Sequence, residues 1–191
     1  MQMTPELLLR AYRMGVFPMA DDRGRVGWYL PDPRTILPLD GFHVSRSLAK
    51  VIRRGEFELR WNTAFAEVMQ GCANREEGTW ISQEFIDVFG QLHAEGWAHS
   101  MEAWKDGVLV GGVYGVAIGK AFMAESMFHR ATNASKIALW GLIGLLNENR
   151  FQVLDVQYTT PHLLSLGATE ISNAEYQERL ARALAGDQGP S

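Results

Sequence analysis

Cysteine is nearly absent from this sequence, and its histidines are scattered. Cys72, the single cysteine, cannot form an internal disulfide or a cysteine-rich metal site, which favours a reducing compartment. The five histidines occur at none of the short spacings, such as H-x-x-x-H, that place two ligands on one metal ion. We therefore expect a protein without a metal centre.

Long apolar runs and an excess of positive charge are also missing. No hydrophobic stretch approaches the roughly 18 residues needed to span a bilayer, and the opening segment MQMTPELLLRAY has no cleavable apolar core. With 18 basic residues against 22 acidic ones, the net charge is -4. This balance argues against a protein that binds nucleic acid through uniform positive charge, although it allows a local basic patch. These absences predict a cytoplasmic protein that is not embedded in a membrane.

The sequence does contain enough apolar side chain for a folded core. Hydrophobic residues make up 47% of its 191 residues and charged ones 21%, which favours one domain, or one domain with a small appendage, over disorder. Thr4, Pro5 and Glu6 are typical of a helix start, whereas frequent glycine and proline predict an irregular stretch over 16–38. We assign residues 1–38 to a small N-terminal domain and residues 39–191 to a larger domain.

The larger domain has a definite order of predicted elements. After a helix over 45–54, the hydrophobic periodicity indicates a strand, two helices, a three-stranded meander, a buried helix and a strand. A capping box at Ser172 and Glu175 begins a terminal helix. This βααβββαβ order is an α+β arrangement, a mixed, largely antiparallel sheet flanked by helices, and it resembles the core of the GNAT acyltransferase fold. The predicted ranges are 57–61, 63–72, 82–94, 99–105, 108–118, 121–128, 133–147 and 151–158.

Asp155 is an unusual residue for the predicted strand FQVLDVQY. Alternation along the strand puts Val153, Asp155 and Gln157 on one face, and an Asp within a strand is disfavoured and costly to bury without a partner. One interpretation is functional: Asp155 accepts a hydrogen bond from the side-chain amide of Gln157 and directs its oxygen at a reacting group. The other is structural: a carboxylate at a strand end that ties down a neighbouring loop.

Glu125 raises the same question in the predicted strand AFMAESMF. Alternation places it on the face of Ala121, Met123 and Met127, either as a carboxylate in an apolar pocket or as an edge residue that reaches solvent. A single carboxylate of this kind is more often structural. Two of them on neighbouring predicted strands of one sheet favour a functional site.

Phosphate-binding loops and nucleophile motifs are missing. The glycines of GGVYGVAIG indicate a bulge or a close backbone approach, and the sequence contains no G-x-G-x-x-G motif and no P-loop. The turn MFHRATNASK has no glycine, although a GNAT enzyme that uses acetyl-coenzyme A carries a glycine-rich loop there. We therefore expect another acyl donor and no cofactor. The sequence also has no nucleophile elbow, which favours direct transfer over covalent catalysis.

One predicted helix face concentrates positive charge. Arg46, Lys50, Arg53 and Arg54 recur at i, i+4, i+7 and i+8, which places them together. Such a row is either a solvated face or the contact for an anionic partner, whose binding would then depend on salt. Trp80, in the polar word REEGTWIS, is the best candidate for an exposed ring that stacks on a base.

Nine short words of the sequence, taken in order, resemble one family. The words are GVFPM, YLPDPR, HVSRSL, REEGTWIS, GGVYGV, ESMF, NASK, LDVQ and SLGA, and they resemble the leucyl/phenylalanyl-tRNA-protein transferase family from about Thr4 to the last helix. Enzymes of this family move leucine or phenylalanine from a charged tRNA to the N-terminal amino group of a protein that begins with Arg or Lys. The added residue marks that protein for degradation by the N-degron pathway. The resemblance implies a small N-terminal domain, a GNAT-like catalytic domain, no metal and no coenzyme A. We also expect no membrane partner and a monomer.

The resemblance also implies roles for individual residues. Asp155 and Gln157 match the family's catalytic pair, Glu125 matches its active-site glutamate, and Trp80 matches an aromatic residue beside the terminal adenosine. The pocket for the leucine or phenylalanine side chain would comprise Val113, Phe122, Leu142, Leu146 and Leu154. The acceptor stem of the tRNA would lie on the basic cluster Arg46, Lys50, Arg53 and Arg54.

Three features depart from some relatives. Met19 stands where those relatives have a tryptophan that faces the adenine, so a flexible thioether replaces half of the stacking site. Leu142 and Leu146 replace aromatic residues, which alters the expected preference between leucine and phenylalanine. Little sequence precedes the first predicted helix, where some relatives carry an extension.

The expected reaction is the attack of a neutral peptide α-amine on the ester carbonyl at the tRNA 3′ end. Because the ester is already activated, the enzyme mainly has to position the reactants and remove a proton. Positioning contributes roughly 7 to 11 kcal/mol to lowering the barrier. Gln157, oriented by Asp155, would receive or relay the amine proton, with a tRNA hydroxyl as an alternative acceptor. Glu125 would hydrogen-bond an amino group. Two other functions stay open: a GNAT-type N-acetyltransferase and a tRNA-binding module without catalysis.

Overall fold

Helices and strands follow one another along residues 3–21, 23–74, 79–187 and 189, which are the residues that the computed structural model describes. Residues 75–78, the REEG of the word REEGTWIS, lie outside this set. The elements are α1 (Pro5–Arg13), β1 (Phe17–Ala20), β2 (Val26–Tyr29), β3 (Arg34–Ile36), α2 (Arg46–Arg54), β4 (Glu58–Trp61), α3 (Phe65–Ala73), α4 (Gln83–Ala94), β5 (Ala98–Lys105), β6 (Val108–Ile118), β7 (Ala121–His129), α5 (Ala134–Glu148), β8 (Val153–Gln157), α6 (Pro161–Ser165), β9 (Thr169–Ile171) and α7 (Asn173–Leu184).

A seven-stranded mixed sheet organises the molecule. Its strands lie in the order β4-β5-β6-β7-β8-β3-β9, and each neighbouring pair is antiparallel except β7 and β8, which run parallel. Parallel neighbours need a crossover connection, which α5 provides between β7 and β8. The predicted α+β arrangement, a mixed and largely antiparallel sheet flanked by helices, is confirmed.

Helices cover both faces of the sheet. On one face, α1, α3, α4 and α7 contribute to a core that includes Leu8, Val68, Phe89 and Leu180. On the other face, α2 and α5 contribute to a second core. Most of α5 is buried, as its apolar sequence predicts, although Trp140 remains 37% exposed. None of the described helices is long and apolar enough to cross a membrane.

The predicted element order is confirmed from α2 to β8, with ends shifted by at most two residues, whereas α6 and β9 between β8 and α7 were not predicted as separate elements. The meander β5-β6-β7 is antiparallel throughout. Ser172 begins α7 as predicted, because its hydroxyl accepts a hydrogen bond from the backbone N–H of Glu175 at 3.2 Å. Helix α2 begins at Arg46, where Ser45 caps it by accepting from the N–H of Leu48.

The stretch over 16–38 is more regular than predicted. It contains β1, β2 and β3 in place of an irregular lobe, and only β1 and β2 form a separate two-stranded sheet. Prolines in and beside these short strands obscure the alternation by which strands are recognised. Strand β3 belongs to residues 1–38 by the predicted division, yet it lies between β8 and β9 in the main sheet. The N-terminal segment is therefore built into the larger unit through this strand.

Candidate active site

The candidate site lies where the two parallel strands separate. Strands β7 and β8 are paired from Ala121 and Val153 to Met123 and Asp155. Two residues further along each strand, at Glu125 and Gln157, the strands are linked through their side chains. The Nε2 of Gln157 donates a hydrogen bond of 2.8 Å to the Oε1 of Glu125. A cavity of about 910 Å³ opens here, lined by residues 125–130 of one strand and 156–158 of the other.

A β-bulge brings Glu125 into this cavity. Gly115 of β6 pairs with Ala124, and Tyr114 pairs with Ser126, so Glu125 is the extra residue between two paired positions. A bulge redirects side chains and breaks their alternation. The prediction that Glu125 shares a face with Met127 is therefore wrong: Met123 belongs to the core of α1, α3, α4 and α7, and Met127 packs on the opposite core.

Glu125 is a buried carboxyl with a raised pKa. Only 9% of the residue is exposed, and this burial, together with the nearby negative charge of Asp155, raises its pKa to about 8. The nearby hydroxyl of Tyr12, the hydrogen bond from Gln157 and the charge of Arg34 lower the pKa and offset part of the shift. The carboxyl therefore retains its proton at pH 7.

Asp155 lies beneath the site and is fully buried. Its Oδ1 accepts hydrogen bonds from the Nε of Arg34 and the backbone N–H of Gln157, both at 2.9 Å. Its Oδ2 accepts from the Nη2 of Arg34 at 2.5 Å and from the hydroxyl of Tyr176 at 3.0 Å. The predicted bond from the side-chain amide of Gln157 to Asp155 is wrong, because that amide donates to Glu125. Asp155 holds the main chain of Gln157 and does not line the cavity.

Arg34 is the main residue that sequence reasoning missed. Its guanidinium is buried, donates to the carbonyl of Gly15 at 2.7 Å, and lies over the rings of Phe17 and Tyr176 at 4.7 and 4.3 Å. Burial alone would lower the pKa of Arg34, but its hydrogen bond and charge interaction with Asp155 outweigh that effect and raise it. The sequence does offer one sign of Arg34, because it is a charged residue at the start of the largely apolar segment RTILPL.

Gln157 has a backbone conformation that is uncommon for a residue with a β-carbon. Its φ is 67°, in the left-handed region. Since Asp155 accepts the N–H of Gln157, the buried carboxylate stabilises this conformation at the end of β8. Such conformations cluster at functional sites, where surrounding contacts hold them.

Met19 and Trp80 line the same cavity as Glu125 and Gln157. Trp80 is partly buried and packs edge-on against Phe85, with ring centroids 5.1 Å apart. The structure thus brings together four of the predicted site residues, from β1, from the segment before α4, from β7 and from β8. The cavity contains both an aromatic ring and polar side chains that bind through hydrogen bonds.

The five residues predicted to form the side-chain pocket lie together in the core beside α5. Each is at most 2% exposed, and none of the five is among the residues that line the cavity. Apolar side chains that do line the cavity, here called its apolar wall, include Met127, Val156 and Leu163. Val113 is the cross-strand partner of Met127, so the predicted set adjoins this wall. The five are Val113, Phe122, Leu142, Leu146 and Leu154.

The predicted basic row lies on α2, which packs against α5. Arg46, Lys50, Arg53 and Arg54 are all exposed, so the helix presents them to solvent on one side. Arg54 forms an ion pair with Glu56 at 3.4 Å. None of the four lines the cavity, and the row is a surface separate from the reaction site.

The ionisable side chains that line the cavity are few. Among the described lining residues, Glu125 is the one carboxyl, and the remaining ionisable side chains are His129, Arg130, Tyr158 and His162. Within residues 3–21, 23–74, 79–187 and 189, no three side chains of the metal-binding types come together as a metal ion would require. The arrangement suits acid–base and hydrogen-bond chemistry on a bound substrate.

Comparison with known proteins gives consistent matches along the whole chain. The family model described as leucyl/phenylalanyl-tRNA protein transferase matches residues 36–181, and the model for the N-terminal domain of the same family matches residues 1–32. Among solved structures, the C-terminal domain of a putative lysylphosphatidylglycerol synthetase from Agrobacterium fabrum aligns with 99% of this chain and 60% of its own, at a TM-score of 0.45 and 13% identity.

Curated relatives that carry the name leucyl/phenylalanyl-tRNA–protein transferase align over nearly the full chain. The one from Herpetosiphon aurantiacus is 54% identical over 184 residues, which cover 96% of this chain and 95% of the relative. The one from Rubrobacter xylanophilus is 51% identical over 189 residues, covering 98% of each. Matches of this extent confirm the resemblance, and the chain belongs to the leucyl/phenylalanyl-tRNA protein transferase family.

Proposed function

We propose that this protein transfers leucine or phenylalanine from aminoacyl-tRNA to the N-terminal α-amino group of proteins that begin with Arg or Lys, which marks them for N-degron degradation. The observation that carries the proposal is the cavity of about 910 Å³ in which Glu125 and Gln157 meet Trp80 and Met19. It offers a ring for the terminal base, and polar groups for the ester and the amine. Family membership supports the choice of an aminoacyl group.

The donor enters with its terminal adenosine against Trp80 and Met19. The indole supplies a stacking surface, and the thioether of Met19 supplies a flexible apolar contact. The acceptor stem lies on Arg46, Lys50, Arg53 and Arg54. The aminoacyl side chain occupies the apolar wall of Met127, Val156 and Leu163, with the predicted set of Val113, Phe122, Leu142, Leu146 and Leu154 as the adjoining layer.

The amine and the ester meet at Glu125 and Gln157. Since the Nε2 of Gln157 donates to Glu125, its amide oxygen accepts a hydrogen bond from the attacking amine. The amine nitrogen forms a bond to the ester carbonyl carbon, and the bond from that carbon to the ribose oxygen breaks. Glu125, as a carboxylate, takes one proton from the amine and returns it to the leaving ribose oxygen, so the carboxyl is unchanged at the end.

Asp155 is a positioning residue in this proposal. Its oxygens are occupied by Arg34, Tyr176 and the N–H of Gln157, so it acts through the main chain of Gln157.

The fold of the domain that carries these residues is proposed to be GNAT-like, because a meander β5-β6-β7 is followed by α5 and the parallel strand β8.

The test uses radiolabelled leucine supplied as leucyl-tRNA, with a peptide that begins with Arg as acceptor. We expect label on the peptide, none after ribonuclease treatment, and none on a matched peptide that begins with Asp. Labelling by acetyl-coenzyme A in the absence of tRNA would support an N-acetyltransferase instead. Binding of leucyl-tRNA without any transfer would support an inert tRNA-binding module.

A further inference from the structure

A second group of basic side chains surrounds the mouth of the cavity. His129 is the last residue of β7 and Arg130 follows it, Lys136 lies in the first turn of α5, and His162 lies in α6. His129, Arg130 and His162 line the cavity. Burial and the charges of Lys136 and His129 lower the pKa of His162, so these three groups are close enough to interact, and Arg130 directly follows His129 in the chain. They come from three elements and are distinct from the row on α2.

These basic side chains have no ion-pair partners among the described residues. Within the described part of the chain, other basic residues such as Arg25, Arg60 and Arg179 form ion pairs, whereas Arg130, Lys136, His129 and His162 form none. The one carboxyl among the described lining residues is Glu125. It lies five residues before Arg130, so their Cα atoms are roughly 16 Å apart along the strand. The described residues at the mouth therefore include a guanidinium that forms no ion pair with a described carboxylate.

Arg130 is held in place. Its backbone N–H donates to the carbonyl of Val110 at 2.6 Å, and its guanidinium lies 5.3 Å from the ring of Phe128, a distance at which cation–π attraction operates. Helix α5 begins four residues later, and Ser135 of its first turn, at the positive end of the helix dipole, also lines the cavity. A guanidinium held in this way, with no hydrogen bond or ion pair to any residue that the structure describes, suits an anion with several acceptor oxygens.

We infer that Arg130, with Lys136 and His129 around it, forms a subsite for the phosphodiester on the 5′ side of the terminal aminoacyl adenosine. This inference rests on the proposed function and adds a phosphate contact inside the reaction site to the contacts on α2. The subsite anchors the donor at the mouth while Glu125 and Gln157 act on the ester at the other end of the cavity. The last phosphate then binds at the mouth of the cavity, whereas the acceptor stem binds separately on α2.

The experiment compares two small donors that differ by one cytidine nucleotide, which brings the phosphodiester on the 5′ side of the adenosine. These are the phenylalanyl esters of adenosine and of cytidylyl-(3′→5′)-adenosine, each tested with a peptide that begins with Arg. We expect the unaltered protein to use the dinucleotide ester with a kcat/KM roughly tenfold higher, because a charged side chain binds the added phosphate. In Arg130→Ala this advantage should largely disappear, and Arg130→Lys should retain part of it.

A matched control removes the same charge elsewhere. Arg182→Ala alters an exposed arginine of α7, and this variant should keep the full preference for the dinucleotide ester. A thermal unfolding transition close to that of the unaltered protein shows that Arg130→Ala is folded. For phenylalanyl-tRNA, Arg130→Ala should reduce the slope of log affinity against log salt by about 0.7, the value for one single-stranded phosphate contact.

Several results would overturn the inference. Equal use of the two esters by the unaltered protein would show that the added phosphate is not recognised. An equal loss with both esters in Arg130→Ala would show that Arg130 acts on something other than the phosphate. Failure of the unaltered protein to transfer from phenylalanyl-tRNA itself would instead overturn the proposed function, so the two failures can be told apart.

Discussion

The ion pair between Arg34 and Asp155 is the most buried charged contact described in the molecule, with side-chain exposures of 1% and 0%. Removing one member of such a pair leaves the other charge buried without compensation, which costs about 3–5 kcal/mol. We therefore predict that Asp155→Ala lowers the free energy of unfolding by that amount and also abolishes transfer. Urea unfolding followed by circular dichroism gives the first quantity and the labelled-leucine assay the second.

A double variant separates stability from positioning. Replacing both charges, in Arg34→Met combined with Asp155→Leu, removes the unpaired charge and should restore much of the lost stability. It also removes the acceptor for the backbone N–H of Gln157, so transfer should stay roughly 100-fold below that of the unaltered protein, as expected for a displaced catalytic group. A stable double variant with full activity would show that Asp155 has no role in positioning Gln157.

Glu125 should make the reaction depend steeply on pH. Its pKa of about 8 lies close to the ordinary pKa of a peptide α-amine, roughly 7.7 to 8.0, and both groups must lose a proton before attack. Below pH 7.5, we predict that log kcat/KM rises with pH with a slope approaching two, and that Glu125→Gln reduces the slope to about one. The variant should also be roughly 100-fold or more slower at pH 9. An unchanged slope in Glu125→Gln would exclude Glu125 as the base.

The same shift predicts the pH dependence of stability. The folded protein holds the Glu125 proton up to about pH 8, while the unfolded chain releases it near 4.5, so the folded state binds more protons between these values. The contribution of Glu125 to the free energy of unfolding is fully present below pH 4.5 and is lost as the pH rises to 8. Relative to Glu125→Gln, the unaltered protein should lose of order 1 kcal/mol per pH unit over that window. Urea unfolding at pH 5, 6.5 and 8 measures the difference.

The identity of the site residues could be predicted from sequence more readily than their contacts. Glu125 and Asp155 stand out because acidic residues in strands need an explanation, and Gln157 shares the predicted face of Asp155. All three lie at the point where β7 and β8 separate. The partners Arg34 and Tyr176 could not be assigned, since they lie 121 and 21 residues from Asp155 along the chain. Only the strand order of the sheet brings Arg34 beside Asp155.

Strand β7 shows why the orientation of Glu125 was predicted incorrectly. Alternation assumes a regular strand, and a single extra residue reverses the faces that follow it. The glycines of β6 do indicate an irregularity, and Gly115 is indeed paired next to the bulge. A glycine pattern indicates that a bulge is present nearby, but it does not say which residue of the facing strand is the extra one.

The bulge also gives a prediction at Gly115. A β-carbon added there would lie 2.2 Å from the carbonyl oxygen of Met123 and 2.5 Å from the Cε1 of Phe122, so β7 must shift. We predict that Gly115→Ala lowers the free energy of unfolding by about 1–3 kcal/mol and slows transfer, because the shift displaces Glu125. Urea unfolding and the labelled-leucine assay measure these effects.

Gly90 provides the control for this substitution. It lies in α4, and nothing is within 4 Å of the position of its added β-carbon. Gly90→Ala should therefore stabilise the protein by up to about 1 kcal/mol, since alanine favours helix, and leave transfer unchanged. Equal stability of the two variants would contradict the close contact assigned to Gly115.

At the scale of the whole molecule, the site depends on segments from both ends of the chain. Met19 of β1 lines the cavity, Tyr12 of α1 interacts with Glu125, and Gly15 and Phe17 contact Arg34. Near the other end, Tyr176 of α7 binds Asp155. The sequence pattern assigns the first of these segments to the N-terminal domain, residues 1–38, and α7 to the larger domain, residues 39–191. Their meeting depends on β3 entering the main sheet, which local periodicity does not indicate.

This arrangement predicts that residues 1–38 and 39–191 unfold together. Leu8, Tyr12 and Phe17 belong to the same core as residues of α3, α4 and α7, so unfolding of the N-terminal segment would expose one side of the main sheet and leave Arg34 without two of its contacts. We predict a single urea transition in which tryptophan fluorescence and far-ultraviolet circular dichroism coincide, the behaviour of one cooperative unit. A fragment of residues 33–191 should lack that transition. Two separate transitions, or a fragment with the unfolding midpoint of the full chain, would show that the N-terminal segment is an independent domain attached to a self-sufficient core.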